Sequence, residues 1–133
     1  MAAGPKIDGA GIQKLKTLDE AVVQLQRLHG VVEHYALALK QNKPTHTYSQ
    51  HVKRTLTPLV GKLKPQFGMI SDVVAAMNLV AGRGGSEKTK VRMLQEGVGS
   101  IRQQLDIAVV RVKENHAVKD DAAASPQPPT TSG

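Results

Sequence analysis

Five histidines, His29, His34, His46, His51 and His116, are the side chains of this sequence best suited to chemistry. Imidazole ligates metals, relays protons and accepts phosphoryl groups. A helical metal site needs its ligands on one face, at i and i+4, and no two of these histidines keep that spacing. There is no cysteine to add a thiolate, a disulfide or a nucleophile. No metal or other cofactor is therefore expected. No carboxylate pair falls on an apolar stripe, and no Ser-His-Asp arrangement can be assembled, so the sequence reads as that of a non-enzyme.

His51 keeps different company from the others. It lies in Ser49-Gln50-His51-Val52-Lys53-Arg54-Thr55-Leu56-Thr57-Pro58-Leu59, with a cation three residues on and a hydroxyl four residues on. An imidazole nucleophile needs such a cation to steady an incoming phosphoryl group. This segment resembles the phospho-accepting box of sensor histidine kinases and, more loosely, the histidine phosphotransfer domains. The resemblance implies phosphotransfer through His51. The sequence departs from the box at Val52, where the box is acidic, and at Pro58, which falls two residues late. No ATP-binding segment accompanies it. At ~100° per residue, His51 sits on the flank of its helix, not opposite the apolar stripe.

The chain carries 18 basic and 11 acidic residues among 133, a net charge of +7. Such a balance favours acidic partners. In an up-down-up bundle, one pole would gather Lys40, Lys43, His46, His51, Lys53, Arg54, Arg111, Lys113 and His116, opposed only by Glu33, Asp106 and Glu114. A second group, Arg83, Lys88, Lys90 and Arg92, would occupy the other pole beside Glu87. The first pole could hold phosphates or an acidic peptide. No aromatic interleaves the cations for base stacking, and no compact helix-turn-helix is evident. The Gly82-to-Lys88 stretch lacks the spacing of a phosphate-binding loop and reads as a turn.

The elements that must position these residues follow from apolar spacing. Leu15, Leu18, Val22, Leu25, Leu28, Val32, Tyr35 and Leu39 form one stripe. Tyr48, Val52, Leu56, Leu59, Leu63, Phe67, Ile70, Val74 and Met77 form a second. Val91, Leu94, Val98, Ile101, Leu105, Ala108 and Val112 form a third. Steps of three and four place each set on one helical face. The fold expected is an all-α, elongated, antiparallel three-helix bundle; the alternative is four helices, with the second stripe split near Pro58–Pro65. The unbroken phase of that stripe favours one kinked helix from Tyr48 to Ala81.

The first helix is expected to begin near Gly11 or Thr17, the second after a Thr47 cap, and the third after Ser86. Residues 1–11 read as a flexible leader, 12–117 as the helical domain and 118–133, with three prolines, as a disordered tail. No signal peptide or stretch of 18 apolar residues is evident, so a soluble intracellular protein, cytoplasmic or nuclear, is expected.

Function is expected to be non-catalytic: an adaptor that binds a protein partner through a helical face or the basic pole. Nucleic acid or another polyanion is the alternative partner, and phosphotransfer through His51 is the second alternative. Val23, Val31, Val73, Leu79, Ile107 and Val109 lie off the stripes, where they either broaden the core or join two copies in a homodimer.

Overall fold

The computed structural model describes residues 6–118. Among them are four helices, not three: α1 (Gly9–Lys40), α2 (His46–Leu63), α3 (Gly68–Gly82) and α4 (Glu87–Asn115). Each packs on its two neighbours in the order α1-α2-α3-α4-α1, with no diagonal contact. The topology is up-down-up-down, with α1 and α4 side by side and α2 and α3 forming a shorter hairpin.

The split falls at Pro65. Proline cannot donate to the carbonyl four residues back, and its ring crowds that carbonyl. The amides of Gln66 and Phe67 both turn back to the Leu63 carbonyl, at 3.3 and 2.7 Å, and the chain reverses. Pro58 causes no break. It lies on the exposed side of α2. The unbroken apolar phase fits a reversal as well as a continuous helix, because Leu63 before the turn and Ile70 after it both enter the core.

The three stripes do form that core. Leu18, Leu28, Tyr35, Leu56, Leu59, Leu63, Leu94, Ile101 and Leu105 are all fully buried. Burial of each such side chain contributes about 1.5–3 kcal/mol. Val31 joins the core, and Val73 and Val109 pack against it. Val23, Leu79 and Ile107 stay exposed.

The helix starts also differ from expectation. α1 begins at Gly9, where Asp8 Oδ1 accepts from the Gly11 amide at 2.7 Å. Thr17 is no cap; its hydroxyl donates to the Gln13 carbonyl. Residues 6–8 are not a free leader, since Ile7 pairs with Ala117 in an antiparallel bridge and the Asp8 amide donates to the His116 carbonyl. At the other chain end, the Val118 amide donates to the Lys6 carbonyl. The rest of the expected leader and tail, 1–5 and 119–133, lies outside the described residues. α2 starts after Thr45 instead of Thr47. At α4 the expected cap is present, with Ser86 Oγ accepting from the Thr89 amide.

The hairpin is pinned by the Ser49 hydroxyl, which donates to the Ala81 carbonyl, and by the Ser71 hydroxyl, which donates to the Val60 carbonyl. Among the described residues, no helix is long and apolar enough to cross a membrane.

Candidate interaction surface

A fourth helix changes which basic residues meet. With α4 running down beside α1, its N-terminus lies at the end of the bundle where α1 finishes and α2 begins. Lys40, Lys43, His46, His51, Lys53 and Arg54 are at this end. Arg111, Lys113 and His116 are not. They sit at the far end of α4, about 40 Å away at ~1.5 Å per residue. The nine-residue pole expected from three helices is therefore split in two.

What replaces the lost residues is the group expected at the opposite pole. Lys88 and Arg92 line a groove together with Lys40, and Arg83 lines another with Lys53. Lys90 is close enough to act electrostatically on Glu87. One end of the bundle thus gathers Lys40, Lys43, Lys53, Arg54, Arg83, Lys88, Lys90 and Arg92. Adding the group from α4 makes this pole more basic than the one expected, and the signal that would have revealed it is Pro65.

At the tip of this cap stands one carboxylate, Glu87, and it is already engaged; Glu33, about level with Lys53, accepts from Gln95 at 3.1 Å. Tyr35, whose side chain is fully buried, donates its hydroxyl to Glu87 Oε2 at 2.8 Å. The Thr45 hydroxyl lies 2.7 and 2.8 Å from the two carboxylate oxygens. This explains why Thr45, though at the N-cap position, makes no capping bond with its side chain. The Thr45 and Tyr35 hydroxyls hold the Glu87 carboxyl below the usual carboxylate range. Burial, and then the bond to Glu87, push the Tyr35 phenol above its ordinary range. The three residues clasp α1, the α1–α2 loop and α4 together beneath the cations.

His51 lies in the second turn of α2 and is exposed, not half-covered on a flank. Its backbone carbonyl accepts from the Thr55 hydroxyl at 3.0 Å. Lys53 and Arg54 beside it are also exposed. His46 opens α2, and His29 lies 3.9 Å from Glu33 on α1. Among the described residues, no three His, Cys, Asp or Glu side chains come together.

At the opposite end, His116 Nδ1 lies 3.1 Å from Asp8 Oδ1, and His116 Nε2 lies 3.1 Å from Lys14 Nζ. An imidazole with its proton on Nδ1 satisfies both contacts, donating to Asp8 and accepting from Lys14. The backbone bond from Gly11, with His116 adding to it, holds the Asp8 carboxyl below its ordinary value. His116 is thus part of a latch between chain ends, and Arg111 and Lys113 stand exposed near it.

Among the described residues, the aromatic rings at the basic pole are the buried Tyr35 and the half-buried Tyr48. Tyr35 and Tyr48 stack on each other, with centroids 5.5 Å apart and planes 12° from parallel. Phe67 lies in the turn at the other end of the hairpin. A groove of about 630 Å³ instead descends from the pole between α1 and α4, with Ala36, Leu39 and Val91 among its lining residues and Lys40, Lys88 and Arg92 beside them. Sequence reading missed this groove because its walls come from two stripes that never meet in the sequence.

Comparison of the chain with protein-family models, with curated proteins and with solved structures gave no match.

Proposed function

We propose that this chain is a non-catalytic interaction module whose basic pole captures an acidic segment of a protein partner. The observation that carries this is the convergence of Lys40, Lys43, Lys53, Arg83, Lys88, Lys90 and Arg92 around two carboxylates already in use, Glu87 by the Tyr35 and Thr45 hydroxyls and Glu33 by Gln95. Cations without local partners attract anions at long range and speed their capture. Tyr35 is buried and occupies one face of the half-buried Tyr48, which leaves no row of exposed rings of the kind that single-stranded bases stack on and argues for a protein partner.

Fluorescence anisotropy with labelled poly-glutamate and with a labelled DNA duplex tests this. Poly-glutamate should bind, weaken steeply between 50 and 300 mM salt, and be lost in the Lys40→Glu/Arg92→Glu variant. Tighter binding of the duplex than of poly-glutamate would transfer the pole to nucleic acid. Binding of neither would remove the proposal.

A second reading rests on His51, exposed beside Lys53 and Arg54 on a four-helix bundle. It calls for phosphoryl transfer onto the imidazole, and acid-labile labelling by a phosphorylated receiver domain, absent in His51→Gln, would support it.

A further inference from the structure

The structure carries a longer feature than the pole alone. The α1/α4 groove does not stop below Arg92. Gln95 lines both the upper groove and a second hollow of about 310 Å³, which continues down the same helix pair past Val98 and Gly99 to Arg102. From Lys88 to Arg102 this furrow is about 21 Å long at ~1.5 Å per residue, the length of four helical turns. Its upper floor is apolar, its lower walls carry Gln26, His29 and Arg102, and between the two hollows the Gln95 side chain crosses to Glu33 at 3.1 Å, a bond an occupant must displace.

Gly99 lines the lower end. A Cβ built there would meet nothing within 4 Å. A glycine inside a helix costs stability, by about 1 kcal/mol relative to alanine, and packing within the bundle does not require this one. Gly97, two residues earlier, is different: a Cβ there would stand 2.6 Å from Met77 Sδ, so internal packing accounts for it. Gly99 faces open space in the furrow.

We infer that the α1/α4 furrow is a docking site for one acidic amphipathic helix of about four turns. This rests on the pole's being an interaction site for acidic protein segments. The partner helix lays an apolar i, i+3, i+4, i+7 edge against the half-buried Ala36 and Leu39, above the buried Val91 and Val98, passes over Gly99, and sets its most acidic end against Lys40, Lys88 and Arg92. Charge complementarity selects this occupant. Arg102 at the lower end is already paired with Asp106 at 3.3 Å, and Glu33 lies at mid-length, bonded to Gln95. The attraction is therefore one-sided and fixes the direction in which the helix lies. The α2/α3 groove, which Lys53, Leu79 and Arg83 help to line, is the weaker host for a four-turn helix because it covers only two turns.

The test uses an 18-residue synthetic peptide with leucines on one helical edge and glutamates elsewhere, beside poly-glutamate of the same length. Both are titrated into the protein and followed by 1H-15N correlation spectra. The amphipathic peptide should bind at least tenfold more tightly, with shifts running along α1 and α4 from Lys40 to Arg102. Gly99→Leu should bring its affinity down to that of poly-glutamate while leaving poly-glutamate binding unchanged. Ala36→Gln, an uncharged polar side chain on the groove wall, should do the same and serves if Gly99→Leu disturbs the fold. Equal affinity for the two peptides, or shifts confined to the pole or to α2 and α3, overturns the furrow and leaves the pole standing. Binding of neither peptide overturns both.

Discussion

Replacing Tyr35 by phenylalanine removes one oxygen and should uncouple the clasp. The ring is fully buried and its hydroxyl donates to Glu87 Oε2 at 2.8 Å. A hydrogen bond to a charged group contributes about 1.5–3 kcal/mol. Glu87 keeps the Thr45 hydroxyl and some contact with water. That recovers part of the loss, so Tyr35→Phe should cost about 1–1.5 kcal/mol. Glu87→Ala leaves the buried phenol without an acceptor and should cost about 2 kcal/mol. The double variant should cost less than the sum, with a coupling of about 1 kcal/mol. Urea unfolding followed by circular dichroism measures all four proteins.

The clasp also gives a pH signature of known sign. The Glu87 carboxyl is lowered in the folded state, so its contribution is full above the ordinary carboxylate range and is lost as pH falls through its folded value. The Tyr35 phenol is raised, so its contribution is full below about pH 10 and is lost as pH climbs beyond it. The wild-type advantage over Tyr35→Phe should therefore narrow at both extremes. A Tyr35→Phe variant within about 0.3 kcal/mol of wild type, with strictly additive costs, would refute the clasp.

Two helical glycines should respond to alanine with opposite signs. Gly99→Ala should raise stability by up to about 1 kcal/mol, read as a higher Tm. Gly11→Ala should lower it by about 1–3 kcal/mol, because the added methyl would overlap His116 Cβ and Ile7 Cγ2. Leu59→Ala opens a void at the fully buried centre of α2 and should cost about 2–5 kcal/mol in urea unfolding. Asp8→Asn should weaken the latch between the chain ends. The depressed Asp8 carboxyl stabilises above the ordinary carboxylate range and loses that effect in acid, so the Tm gap to wild type should be widest at neutral pH and close towards pH 3.

The residues of the core could be read from the chain because a 3.6-residue period states which side of a helix is dry. The same period could not reveal a reversal, since Leu63 and Ile70 stay in phase whether the chain continues or folds back at Pro65. That one ambiguity decided the site. With three helices, Arg111 and Lys113 fall beside Lys40; with four, Lys88 and Arg92 do. Cap residues misled for a related reason. Thr45 was overlooked as the start of α2 because its hydroxyl serves Glu87, a partner 42 residues away that local sequence cannot supply. The space beside Gly99 was hidden too, since the same residue type marks crowding at Gly97 and open space two positions later.

The antiparallel bridge between Ile7 and Ala117 has an architectural consequence. Bridged backbones lie about 5 Å apart, close to the separation of residues flanking a tight surface loop. The described chain could therefore be spliced into such a loop of a host protein without prising the host apart. In that setting the latch would be the root of the graft, and the end that carries Lys40, Lys88 and Arg92 would be its outward tip.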